Sequence, residues 1–433
     1  MFKKTTALII SFLLVTTMFV GCGEKETETT SKGEKGAPQE VKFWYLWSGE
    51  DAKTLEKIIA NYNNSQDRYL VKGLSQPDEQ KLITSISSGT GPDISDTFSN
   101  KIASYASKGI LQPLDDYIKK DNYIEDFVPA TIDTVKYDGK IYGLPAGAGE
   151  GLMMFYNKKL LKEAGFNEPP KTDKELMDVA TKATKLDKDG NMEALGFPDF
   201  PFVYYATNMT FALGGDLISE DGKELTPDNE ATIKALHMIA DYRKKFGIEK
   251  IDKFNASNGA YVAPTDCFIT GHQALRFDGM WLVGLINKYN PDLEYGIAML
   301  PYPEGHPELA GGGEASSSVL YIPSNAKNKE GAWDFLKYIE GTEGMKLWAK
   351  ESGFIPARKS LWTDPEIEKI PGFKQFSEKV AKNNTKVFPS FPAQAEYSTQ
   401  LATYYELAAN SKLTPEEAMK ECKEKCKDLL NQK

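Results

Sequence analysis

The chain has 433 residues, which at roughly 100–200 residues per domain implies two or three domains and excludes a peptide or a single small module. Its 62 Asp and Glu against 52 Lys and Arg leave a net charge of −10, the wrong sign for a protein that neutralises phosphates, which argues against nucleic acid as a partner. A composition 41% hydrophobic and 26% charged, with four cysteines and three histidines, is that of a globular protein with no disulfide scaffold and few routes to Cys- or His-based catalysis.

Lys3 and Lys4 precede the apolar run Ala7 to Val20, whose 14 residues suit a signal h-region and fall short of the ~20 that cross a bilayer as a helix. The run ends Phe19-Val20-Gly21-Cys22, which resembles a bacterial lipobox with Phe in place of the more usual Leu. Residues 1–21 read as a lipoprotein signal peptide and Cys22 as the lipidated residue. The alternative is a plain secretory signal in which Cys22 is incidental. Residues 22–40 form a tether without aromatic or large aliphatic side chains, too polar to offset its ordering entropy and able to span roughly 25 Å as a coil.

Val41 to Leu46 has the apolar, β-branched and aromatic character of a buried strand, and Leu55, Ile58, Ile59 and Tyr62 then mark one face of a helix. Ser48 is its expected cap, with Asp51 three residues on. A second helix carrying Leu82, Ile83 and Ile86 ends at Gly89-Thr90-Gly91-Pro92, and Pro92 to Ser95 leads a short strand into Asp96-Thr97-Phe98. Gly109 closes another helix, and Asp138-Gly139 centres a tight hairpin over 136–142. Helix starts are expected at Thr172 with Glu175, at Thr226 with Pro227, and at Thr414-Pro415 with Glu417. The β-α alternation predicts an α/β class with two lobes.

The segments GKIYGLP (139–145) and LMMFYNK (152–158) make the chain resemble the family 1 extracellular solute-binding proteins of ABC importers, the maltose-binding-protein-like group. GFNEPPKTDKEL (165–176), FITGHQALRFDGMW (268–281), YGIAMLP (295–301), and the stretch from Ile322-Pro323 to Gly353-Phe354-Ile355-Pro356 agree in the same order. The resemblance implies a periplasmic-binding-protein type fold, two α/β lobes with a hinge and an interlobe ligand cleft. It divides the chain into an N-lobe of 41–146 plus 315–361 and a C-lobe of 147–312 plus 364–433. It also implies a monomer that captures a carbohydrate, closes on it, and is recognised by ABC permease transmembrane subunits, with no cofactor and no metal.

A pyranose has apolar C–H faces and an equator of hydroxyls, so its site needs aromatic platforms with carboxylate, amide or Arg partners. Trp281, in Asp278-Gly279-Met280-Trp281, Tyr204 and Tyr205, and Glu150 match positions where the family places binding aromatics and a binding carboxylate. Trp47 follows the first strand, and Asp96 the next short one. Glu50, beside Asp51, can bond hydroxyls or act as a helix N-terminal charge. Gly313 and Glu314 follow a glycine run that permits close approach to ligand or serves as hinge, and Arg358 is a further candidate. Trp333, Trp348 and Trp362 are assigned to packing. The four arginines, Arg68, Arg243, Arg276 and Arg358, are few for a phosphorylated solute and favour a neutral one.

Cys422 and Cys426 share an apolar helical face and read as core, because Cβ atoms at that spacing lie ~5–6 Å apart, too far for a disulfide. Cys267 is expected in the core of a helix. His237, His272 and His306 show no metal spacing. Two other classes remain open: a membrane-tethered carbohydrate-active enzyme, with Glu150 and Asp278 as conceivable acid and base, and a sensory or adhesive sugar-binding lipoprotein.

Overall fold

A computed structural model describes residues 37–433 apart from Glu150, Phe200, Pro201, Gly259, Val262 and Lys433; the side chains of Phe202, Val203 and Tyr204 are also outside the description. Cys22, the signal segment and most of the tether therefore lie outside the described residues, as does Glu150.

The first apolar run forms the strand Gln39–Tyr45, buried at Val41, Phe43 and Tyr45 with the alternation that a half-covered strand requires. It pairs in parallel with Tyr69–Ser75 on one side and Ile94–Phe98 on the other. Ser318–Tyr321 adds antiparallel to Ile94–Phe98, and Leu144–Pro145 closes this five-stranded sheet. The helix Gly49–Ser65 buries Leu55, Ile58, Ile59 and Tyr62, the expected face, against the sheet core. Ser48 occupies its N-cap, but its side chain makes no capping bond; the acidic Glu50 and Asp51 in the first turn supply the favourable charge instead.

A second sheet is antiparallel, with Met153–Asn157 between Leu275–Asp278 and Tyr295–Ala298. The hydrophobic residues sort accordingly. One core draws on residues between Val41 and Leu144 and again between Val319 and Leu361. Another runs from Leu152 to Leu300 and resumes from Phe388 to Leu429. A third, smaller core joins Phe155, Val283 and Ile297 to Val128, Ala349 and Ile355, so the second sheet packs against helix and loop residues that accompany the first.

The capping boxes at Thr172 and Thr414 form as expected, and Asp138 and Gly139 take the two positive φ angles, 46° and 71°, of a type I′ hairpin. The helix expected from Thr226 instead starts at Glu230, because Asn229 accepts the Thr232 N–H and is the cap; the Thr226 hydroxyl donates to the Asp216 carbonyl. Cys422 and Cys426 are buried free thiols. Cys267 is buried too, but in a turn rather than a helix. Among the described residues no helix is long and apolar enough to cross a membrane.

The chain passes between the sheets at 146–152 and returns at 311–317. The two passes run side by side: the Ser316 N–H donates to the Gly149 carbonyl at 2.8 Å. A Cβ at Gly149 would lie 2.0 Å from the Ser316 carbonyl oxygen and one at Gly151 only 1.7 Å from that of Glu314. Only glycine permits this approach, and Gly151 also has φ +74°.

Candidate functional site

The carboxyl ends of the strands Gln39–Tyr45 and Leu275–Asp278 each carry an aromatic cluster, and the two meet. In the second sheet, Leu275–Asp278 turns through Gly279-Met280 into the helix Trp281–Tyr289. Arg276 is fully buried between Asp266 and Asp278, at 3.1 and 3.0 Å, and this pair of carboxylates holds it protonated. The Tyr261 hydroxyl donates to Asp278 Oδ1 at 2.8 Å and accepts from the Trp281 Nε1–H at 2.9 Å. A buried charge network thus fixes the Trp281 ring. The ring lies over Gly279, where a Cβ would fall 2.0 Å from its Cζ3. Asp278 is wholly engaged in this network and buried, so it is not placed as a solvent-accessible acid or base.

In the first sheet, the Leu46 N–H donates to Asp96 Oδ1 at 2.6 Å. Asp96 is buried, and desolvation pushes its carboxyl up to about 8. Trp47 is half-buried and meets Trp348 edge to face at 5.1 Å. Phe354 stands 5.8 Å from Trp348 and 6.0 Å from Trp281. A continuous line of rings, Trp47, Trp348, Phe354 and Trp281, therefore joins the two strand ends. The side chain of Phe98, at the end of its strand, is 51% exposed, a large apolar surface left open to solvent.

Glu314 sits beside the return pass, its N–H donating to Asn208 Oδ1 at 3.1 Å. The residue keeps partial exposure while burial pushes its carboxyl up to about 7. Gly313, with φ +138°, is buried against Leu300, Asn208 and Lys379. Lys379, fully buried, donates to the Leu152 carbonyl at 3.2 Å. Asn100 Oδ1 and Gln394 Oε1 are buried without hydrogen-bond partners among the described residues where the turn Ser99–Lys101 packs on the helix Gln394–Ala409.

Three candidates are placed elsewhere than the sequence suggests. Tyr205 belongs to the second core, fully buried and stacked at 10° on Phe277; its large apolar ring is better satisfied there than in water. Tyr204 precedes it in the helix Phe202–Ala212, its side chain outside the description. Arg358 is a framework residue. Its guanidinium covers the rings of Tyr123 and Phe127 at 4.3 and 4.5 Å and donates to the Glu340 carbonyl at 2.8 Å. Glu50 is exposed and bonded to Lys288 and Lys53, both at 2.9 Å, which hold its carboxyl down at about 2. Its helix and the helix Trp281–Tyr289 are thereby linked across the two sheets.

Phe98, Phe354, Lys379 and Tyr261 were not singled out from the sequence. Phe98 and Phe354 carried a signal, an aromatic at a strand end and one in a Gly-Phe-Ile-Pro turn. Lys379 carried none, since a lysine in an amphipathic helix reads as solvent-facing. Trp333, Trp348 and Trp362 are packed as expected. Among the described residues no His, Cys, Asp and Glu cluster could hold a metal ion.

Known proteins resemble this chain at three levels. The model of the bacterial extracellular solute-binding protein family matches residues 57–375. A maltotriose-binding protein of Pyrococcus abyssi is 27% identical over 81% of this chain and 73% of its own. A galactooligosaccharide-binding protein of Bacillus subtilis is 26% identical over 100% and 99%. A maltooligosaccharide ABC transporter solute-binding lipoprotein of Streptococcus pneumoniae is 28% identical over 82% and 81%. Among solved structures, CpMnBP1 with mannotriose bound superposes with a TM-score of 0.78 at 26% identity, covering 90% of this chain and 100% of that one. The fold is that of the maltose-binding-protein-like periplasmic binding proteins, two α/β lobes hinged about a ligand cleft. The chain belongs to the bacterial extracellular solute-binding protein family.

Proposed function

We propose that the chain is the substrate-capturing subunit of an ABC importer for a neutral mono- or oligosaccharide, anchored outside the cytoplasm through lipid on Cys22. The observation that carries this reading is the meeting of Trp281 with Phe354 at 6.0 Å, which brings aromatic surface from both strand ends together; Asp96 and Glu314 are the proposed carboxyl partners. Rings supply platforms for C–H faces, and carboxyls and amides supply partners for hydroxyls. Contacts to both lobes favour the closed form by the differential affinity they provide.

The arginines support a neutral solute. Arg68 pairs with Asp334 at 2.7 Å, Arg243 with Asp199 at 2.8 Å and Arg276 with two aspartates, while Arg358 is committed to ring faces and a carbonyl. Each already has a partner, so a phosphate ester would have to displace one to be gripped by a guanidinium. The names of the relatives point to oligosaccharides as well. The proposed lobes, 41–146 plus 315–361 and 147–312 plus 364–433, follow the division of the two larger cores. In this reading the protein binds without turnover, acts as a monomer, and presents its closed form to the permease.

A thermal-shift and calorimetric screen tests the ligand class. A saturating neutral saccharide at a hundredfold its Kd stabilises by about 2.7 kcal/mol and raises Tm. A Tm rise with a polyamine, peptide or phosphate ester, and none with any saccharide, overturns the proposal.

A further inference from the structure

Behind the rings at the end of Gln39–Tyr45 lies a cavity of about 20 Å³, room for one water molecule or one hydroxyl group. Trp47, Ala146 and Phe354 are its half-exposed rim; Leu320 and Met345 lie in its buried floor. Two polar groups of its lining lack a hydrogen-bond partner among the described residues, although the Arg358 charge lies near one of them, Glu340. The Trp348 indole N–H is buried with no acceptor. Glu340 is 2% exposed, and no hydrogen bond reaches its carboxyl among the described residues. The neighbouring Arg358 donates to the Glu340 carbonyl rather than to the carboxyl.

The lining specifies what can fill it. An ammonium or metal cation has no lone pair to offer the indole N–H, and an anion suits Glu340 only while that carboxyl is protonated. A hydroxyl is both donor and acceptor. It pairs with the indole N–H and with the carboxyl in either protonation state, so the match survives the upward shift that burial imposes on Glu340. The Trp47 and Phe354 rings at the rim suit an apolar carbon carrying that hydroxyl.

We propose that this cavity is a subsite for the exocyclic hydroxymethyl arm of one hexose unit, its oxygen accepting from Trp348 Nε1–H and bonding the Glu340 carboxyl. The subsite selects hexose over pentose units at that position. The inference rests on the saccharide reading above and adds a residue-level specificity to it.

The test uses the full mature chain and calorimetry with mannotriose and maltotriose, taking whichever binds more tightly together with its 6-deoxy counterpart. The wild-type protein should bind the parent sugar about tenfold more tightly than the 6-deoxy sugar. Trp348→Phe and, independently, Glu340→Leu should each weaken the parent about tenfold and leave the 6-deoxy sugar unchanged, closing the gap. Two variants guard against one failing to fold, and the melting temperature of each reports folding. Equal weakening of both sugars, or unchanged affinity for the parent, overturns the subsite and leaves the cavity to water. If neither trisaccharide nor any other sugar of the screen binds the wild-type protein, the saccharide reading itself falls and the subsite with it.

Discussion

The two strand-end clusters treat buried polarity in opposite ways. At the end of Leu275–Asp278, Arg276, Asp266, Asp278, Tyr261 and Trp281 satisfy one another in an unbroken chain. At the end of Gln39–Tyr45, the Trp348 indole has no acceptor and the Glu340 carboxyl receives no hydrogen bond among the described residues, and Asp96 is buried with a backbone amide as its donor. A completed network rigidifies what it holds, whereas unmet hydrogen-bonding capacity is costly until something supplies it. One side therefore presents an aromatic ring in a fixed pose, and the other retains capacity that a ligand can fill.

The largest expected effect comes from breaking the completed side. Arg276→Ala leaves two carboxylates buried without their cation and should cost about 3–5 kcal/mol, read from the urea midpoint. An unchanged midpoint would mean that the network does not hold that sheet end. Gly279→Ala places a methyl where the Trp281 ring lies; the crowding should destabilise by about 1–3 kcal/mol. By turning the ring away from Tyr261, it should also lower saccharide affinity as much as Trp281→Ala does, about tenfold or more. Full affinity in Trp281→Ala removes that ring from the site.

The other side is sharpened by pH. Asp96 titrates at about 8 in the fold against 3.8 as a free side chain, so the unfolded chain binds fewer protons between those values. Stability should fall as pH rises through that window. Asp96→Asn keeps an acceptor for Leu46 N–H and removes the charge. It should raise Tm by a few degrees near pH 8.5 and leave it within about one degree near pH 4. A rise of equal size at both pH values would place the effect in packing instead. The smallest effect is expected from Glu50→Gln, which breaks an exposed bridge to Lys288. It should change saccharide affinity by less than about threefold at low salt and not at all at 1 M.

Much of the fold was legible because it rests on local signals. The strand at 41–46, the face of the helix after it, the Asp138-Gly139 turn and two capping boxes each follow from a few adjacent residues. Thr226 misled because Asn229, three residues on, competes for the same cap and reaches the Thr232 N–H. The candidate site was less legible for a physical reason: whether an aromatic or a charge faces a recess depends on residues far away in sequence. Tyr205 is claimed by Phe277, Arg358 by Tyr123 and Phe127, and Glu50 by Lys288. Trp47 stays at the strand end where its position after the first strand put it, and Trp281 at the turn where the family resemblance put it. No sequence pattern announces a buried Lys379 or a buried Glu340.

The glycine-lined contact between the two chain passes constrains motion as well as packing. Gly149 and Ser316 are bonded, and the Gly151 and Glu314 backbones leave no room for a methyl, so the passes behave as one ribbon rather than two independent strings. Bending a ribbon is easy across its face and hard in its plane. A swing across that face is therefore the motion that these two passes resist least.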